Sequence, residues 1–90
     1  AMKSYYGKAY EMYDKELNDI YALLKEELSP EIMNDLEIKQ LKWIEEKEGK
    51  AREEEAKFKG GTFEPVAGYI VLYEATKEKC YELVNQYMTD

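Results

Sequence analysis

The sequence predicts an all-α fold, an antiparallel up-down-up three-helix bundle with a long, highly charged second helix. Apolar residues recur at alternating spacings of three and four in three separate segments, which places each set on one stripe of an amphipathic helix. Only two short punctuations, Ser29-Pro30 and Gly60-Gly61-Thr62, separate those segments, and connections that short set successive helices antiparallel. No segment alternates apolar and polar residues as a half-buried strand would, and no repeat occurs at a fixed period.

The first helix is expected over about residues 3–28, with Tyr6, Tyr10, Tyr13, Leu17, Ile20, Leu24 and Leu28 on its inner stripe. Ser29 then serves as N-cap and Pro30 as the first residue of a second helix, where the missing N–H has no partner to lose. That helix is expected over about residues 30–58, with Met33, Leu36, Gln40, Trp43, Ile44 and Lys47 facing inward.

From Glu45 to Lys57 the only apolar residues are Ala51 and Ala56. Opposite charges three and four apart keep this stretch helical at a few tenths of a kcal/mol per pair, while Gly49 weakens it by about 1 kcal/mol. The expectation is a mobile segment that projects beyond the bundle.

Phe58 closes the second helix, and Gly60-Gly61 supplies a left-handed cap and a turn. Thr62 is expected to cap the third helix, with Pro65 in its first turn. This helix is expected over about residues 63–88, its stripe being Val66, Tyr69, Tyr73, Thr76, Cys80, Leu83 and Tyr87. Ile70, Val71 and Leu72 widen its apolar face, which suggests a homodimer or packing on a neighbouring domain.

Ninety residues leave room for one domain, residues 1–90, since a chain of this size buries only roughly 65% of its unfolded surface. Apolar residues make up 44% of the chain, but nine are Tyr, so much of the core is amphipathic. Twenty acidic against thirteen basic residues give a net charge of −7, which disfavours nucleic acid and anionic lipid and favours a basic partner.

The chain has no His and one Cys, Cys80. It therefore has no intrachain disulfide and no zinc site of the usual composition, and no cofactor is expected. No run approaches the ~20 apolar residues of a membrane span, and no signal peptide is visible. Ala1 ahead of Met2 reads as a cloning remnant.

The many carboxylates invite a glycosidase reading, but Glu53, Glu54 and Glu55 point to successive helix faces, and a solvated charge run is the simpler account. Cys80 occupies a stripe position and has no His to activate it, so burial as a small hydrophobe is favoured over nucleophilic chemistry. The Gly60-Gly61-Thr62 turn lacks the longer glycine pattern of a phosphate loop. No catalytic set emerges, and the protein is not expected to be an enzyme.

A polar set on inward or boundary positions is more informative. Asp14, Asn18 and Tyr21 share one face of the first helix at i, i+4 and i+7, while Gln40 and Lys47 interrupt the stripe of the second. Antiparallel pairing about Ser29 sets Asp14 opposite about Glu45, within reach of Lys47. The first reading is a network that fixes helix register, the second a binding role.

The same residues carry a family resemblance. Asp14, Leu17, Asn18 and Tyr21 match a D-x-x-L-N-x-x-Y pattern; Gln40 and Trp43 match Q-x-x-W; Gly60, Gly61 and Thr62 match G-G-S/T; Thr76, Lys79, Glu82 and Leu83 follow T-x-x-R ahead of E-L. In this order the chain resembles the LprI-type lysozyme inhibitor family over about residues 10–88. Lys47-Glu48 stands where the family shows Arg-Asp, which keeps the charge order and loses bidentate guanidinium geometry. Ala51 stands at the family's following Cys, and Cys80 is not its paired cysteine, so the chain looks like a cysteine-poor branch found in Gram-positive cell-envelope lipoproteins.

The resemblance implies a non-enzymatic, extracytoplasmic domain of an envelope lipoprotein that binds and blocks lysozyme, a basic partner that suits the acidic charge. The expected contacts are Glu45, Glu46, Glu53, Glu54 and Glu55 together with Gly60, Gly61 and Thr62. The motif residues Asp14, Leu17, Asn18, Tyr21, Gln40, Trp43, Lys47 and Thr76 are expected to be structural. The alternative is an assembly module of a longer envelope protein, acting through self-association of the third helix.

Overall fold

The computed structural model describes residues 2–61 and 64–88, with side chains from 5–61 and 66–88. Helix α1 spans Met2–Glu27, α2 Pro30–Lys57 and α3 Glu64–Leu83, after which Val84–Met88 winds as a π-helix. Each start and stop lies within two residues of its expected place, except that the α-helical part of the third helix ends at Leu83.

Local chemistry explains the boundaries. Ser29 is extended and its hydroxyl accepts from the Ile32 N–H at 3.3 Å, with Pro30 at the first helical position. Phe58 ends α2, its N–H donating to Glu55 O at 3.1 Å, and Gly60 follows at a φ of 84°, the left-handed region where only glycine is unstrained. The expected capping by Thr62 lies outside the described residues.

A helix of 28 residues is about 42 Å long, so the molecule is elongated, 47 × 22 × 17 Å. Its main core is formed by Leu17, Ile20 and Leu24 of α1, Met33 and Leu36 of α2, and Cys80 and Leu83 of α3. Tyr13, Tyr21, Trp43 and Tyr87 pack around this centre half-buried. This is the amphipathic rim that the tyrosine content predicts.

The three helices do not pack equally. Helix α3 lies along both α1 and α2, whereas the backbones of α1 and α2 approach each other only sparsely. This explains the width of the apolar face on α3: Ile70, Val71 and Leu72 are half-buried within the chain itself. The homodimer expected through that face is not supported, because a helix packed from two sides needs a broad apolar surface without a second copy.

The charged half of α2 does not project as expected. Lys47 and Ala51 are buried, and further along, Glu55 lies over Gly68 of α3, so that a Cβ at Gly68 would meet its Cγ and Cδ at 2.8 Å. Val66 and Ala67 are buried at the same end of α3. Small residues let the two backbones approach closely, so this end packs without the large apolar side chains whose absence suggested a free segment.

Candidate partner-binding surfaces

The polar set of α1 and α2 lines the seam that these helices leave open. At its upper end Lys47, only 6% exposed, holds its Nζ 4.5 Å from the centre of the Trp43 ring and 5.2 Å from that of Tyr10. The same ammonium donates to the Tyr10 hydroxyl at 3.4 Å. Burial lowers the Lys47 pKa from its ordinary value, against the opposing pull of Asp14 and Glu48. The expected meeting of Asp14 with Lys47 is therefore through space, since no ion pair within 4.0 Å joins them among the described residues.

Two turns further along α1, the Tyr21 hydroxyl donates to Gln40 Oε1, a cross-link between α1 and α2. Burial is the main cause that pushes the Tyr21 phenol up to about 12, with the nearby Glu82 carboxylate adding to it. Trp43 is approached from α3 as well, by the Lys79 Nζ at 5.8 Å, and Lys79 pairs with Glu82 at 3.6 Å. The motif residues Tyr21, Gln40, Trp43 and Lys47 are thus brought together as helix-to-helix contacts.

Leu17 and Thr76 are fully buried, and the Thr76 hydroxyl has no hydrogen-bond partner among the described residues. Asn18 differs from its motif neighbours in being exposed. It lines a groove of about 550 Å³ that runs past the Tyr21–Gln40 bridge and whose walls include Ala22, Lys25, Glu37, Leu41 and Ile44. A second groove of about 470 Å³ lies between α1 and α3, lined by Met12, Tyr13, Leu23, Tyr81 and Met88.

The acidic run of α2 does not present one surface. Glu45, Glu46 and Glu53 are exposed, but Glu54 is half-buried and bonded to Lys57 at 2.7 Å, and Glu55 is half-buried against Gly68. The helical rotation of 100° per residue distributes adjacent carboxylates around the axis, so only part of the run is open to a partner. Gly60 and Gly61 are exposed at the end of the bundle, while Thr62 lies outside the described residues.

Cys80 is buried, with its Sγ 3.5 Å from the Tyr13 carbonyl oxygen, and burial raises its thiol pKa, as the structural reading of the sequence expects. Among the described residues no cluster of His, Cys, Asp or Glu is arranged to hold a metal ion. No helix among them is long and apolar enough to cross a membrane.

The family model described as "Lysozyme inhibitor LprI" matches residues 1–83. The chain belongs to the LprI lysozyme inhibitor family. No curated protein and no solved structure gives a significant match. Within this LprI domain, periodicity shows the buried motif residues, but it does not show Tyr10 and Lys79 as partners of Lys47 and Trp43. Both pairings cross between helices, and the only prior signal is that each residue sits at or beside a stripe position.

Proposed function

We propose that this domain is a non-enzymatic, extracytoplasmic binding module that blocks a basic lysozyme through its acidic surface. The observation that carries this reading is the match of the lysozyme inhibitor family model over residues 1–83. The net charge of −7 supports it, since an acidic domain is steered to a strongly basic hydrolase with a salt-dependent on-rate.

The surface available for such docking is the exposed part of the acidic set: Glu45, Glu46 and Glu53 on α2, with Glu48 between them and Gly60-Gly61 at the bundle end. Glu54 and Glu55 act within the chain, on Lys57 and against Gly68. An envelope location and a lipoprotein anchor form part of the same proposal.

Isothermal titration of the domain against a basic animal-type lysozyme at low and at physiological salt tests the binding. The expected result is saturable binding at both, weaker at higher salt. Heat that vanishes at physiological salt would reduce the interaction to unspecific charge attraction and overturn the reading.

A further inference from the structure

We infer that the α1–α3 groove seats a basic amphipathic helix of a partner protein, one whose apolar stripe is interrupted near its centre by a lysine or arginine. None of the acidic residues of α2 lines this groove, so it is a second contact surface, beyond the inhibitor reading.

The shape of the groove suits a helix. Helices α1 and α3 run in the same direction, Tyr6 meeting Tyr73 and Tyr13 meeting Cys80. On the α1 wall Met12, Glu16, Ile20 and Leu23 follow one another at spacings of four, four and three; on the facing wall Tyr81, Val84 and Met88 do so at three and four. Two parallel ridges of this kind leave a furrow that takes the ridge of a further helix. From Met12 to Leu23 the furrow is about 16 Å long, three helical turns. Its rims are open, with Met12 69% and Tyr81 56% exposed and Leu23 and Met88 exposed at the far end. Large apolar side chains grouped along one furrow mark a contact surface, where scattered ones would not.

A single charge selects the occupant. Glu16 stands in the middle part of the α1 wall, is the one carboxylate in the lining, and has no cation within 4.0 Å among the described residues. It lies close enough to the groove floor to add to the burial that raises the Cys80 thiol pKa. Lys77, one turn before Tyr81 on α3, is held over the Tyr73 ring with its Nζ 5.7 Å from the centre. A wholly apolar occupant, such as an acyl chain, would bury the Glu16 carboxylate unpaired, which is costly. A second copy, turned about a two-fold axis through the middle of the groove, would set one Glu16 beside another. A helix with one cation among its apolar residues covers both ridges and pairs the carboxylate, and the net charge of −7 favours its approach.

The experiment measures, by fluorescence anisotropy, the binding of two labelled helical peptides of about fourteen residues, long enough for the three turns. Both carry the same leucine stripe and differ only at its centre, which is lysine in one and glutamate in the other. The lysine peptide is expected to bind the wild-type domain at least about tenfold more tightly. Glu16→Gln should shrink that preference to within about threefold, while Glu37→Gln, the same charge change outside the groove, preserves it. Met12→Gln/Leu23→Gln should weaken the lysine peptide at least about tenfold at unchanged helicity. Equal binding of the two peptides, no binding of either, or a preference that survives Glu16→Gln would overturn the inference. Sedimentation as a dimer that the Met12→Gln/Leu23→Gln variant dissolves would assign the groove to a second copy and likewise overturn it. Glu16 is exposed and without an ion-pair partner, so its variant keeps the test decisive if the double variant unfolds. Lysozyme takes no part in this measurement, so its outcome and that of the inhibitor reading are separate.

Discussion

The Lys47 ammonium lies 4.5 Å from the centre of the Trp43 indole and is almost wholly buried, without a carboxylate in ion-pair range among the described residues. Aromatic faces and one phenol take the place of a counter-ion. Cation–π contacts are worth about 2 kcal/mol when desolvated, which offsets only part of the cost of removing an ammonium from water.

Lys47→Met is therefore expected to leave stability within about 1 kcal/mol of wild type or to raise it, because an apolar side chain of similar length removes the desolvation cost. Trp43→Ala is expected to cost about 3 kcal/mol, since it deletes packing and exposes the same charge. Urea denaturation of both variants checks the pair of signs. A large loss for Lys47→Met would show that the ammonium itself holds the helices in place.

Two glycines are expected to respond in opposite directions. Gly49 is helical with open space where a Cβ would go, so Gly49→Ala should stabilise by about 1 kcal/mol. Gly60 has a φ of 84°, so Gly60→Ala should destabilise by about 1 kcal/mol. Thermal melting of the two variants against wild type measures the difference.

The Thr76 hydroxyl is buried without a partner among the described residues. Replacing an unsatisfied hydroxyl by a methyl of the same shape removes a desolvation cost, so Thr76→Val should raise stability by about 1 kcal/mol. Destabilisation in the urea midpoint would mean that the hydroxyl has a partner in solution.

Most of the fold was legible because its stripes are regular: every expected inner residue of the first stripe, from Tyr6 to Leu28, is buried or half-buried. The packing of α2 beyond Lys47 was not legible. It depends on a glycine in α3, Gly68, meeting a glutamate 13 residues earlier, Glu55, and small residues leave no hydrophobic signal. The candidate site was legible in part. The Asp14-to-Lys47 set is grouped along one seam, but the aromatic environment of Lys47 and the exposure of Asn18 depend on how far apart α1 and α2 stand, which no local pattern reports.

Alkaline stability is expected to fall most steeply between about pH 10.5 and 12. Tyr21 holds its proton up to about 12 in the folded chain, against 10.0 ordinarily, so between these values the unfolded chain binds fewer protons and stability declines as pH rises. Lys47 works the other way. Its folded pKa is lowered from 10.5, so stability rises with pH from that lowered value until the unfolded lysine also loses its proton. Denaturation midpoints from pH 8 to 12 should show a shallower alkaline decline in Tyr21→Phe than in wild type.

Inhibition is read most directly from the clearing of a cell-wall suspension by a basic animal-type lysozyme at physiological salt, with and without this domain. Clearing is expected to slow in proportion to added domain and to stop near a fixed molar ratio, and substituting Glu45, Glu46 and Glu53 by Gln is expected to raise the amount of domain required. Clearing that proceeds at the same rate with the domain in excess would show that the domain does not inhibit.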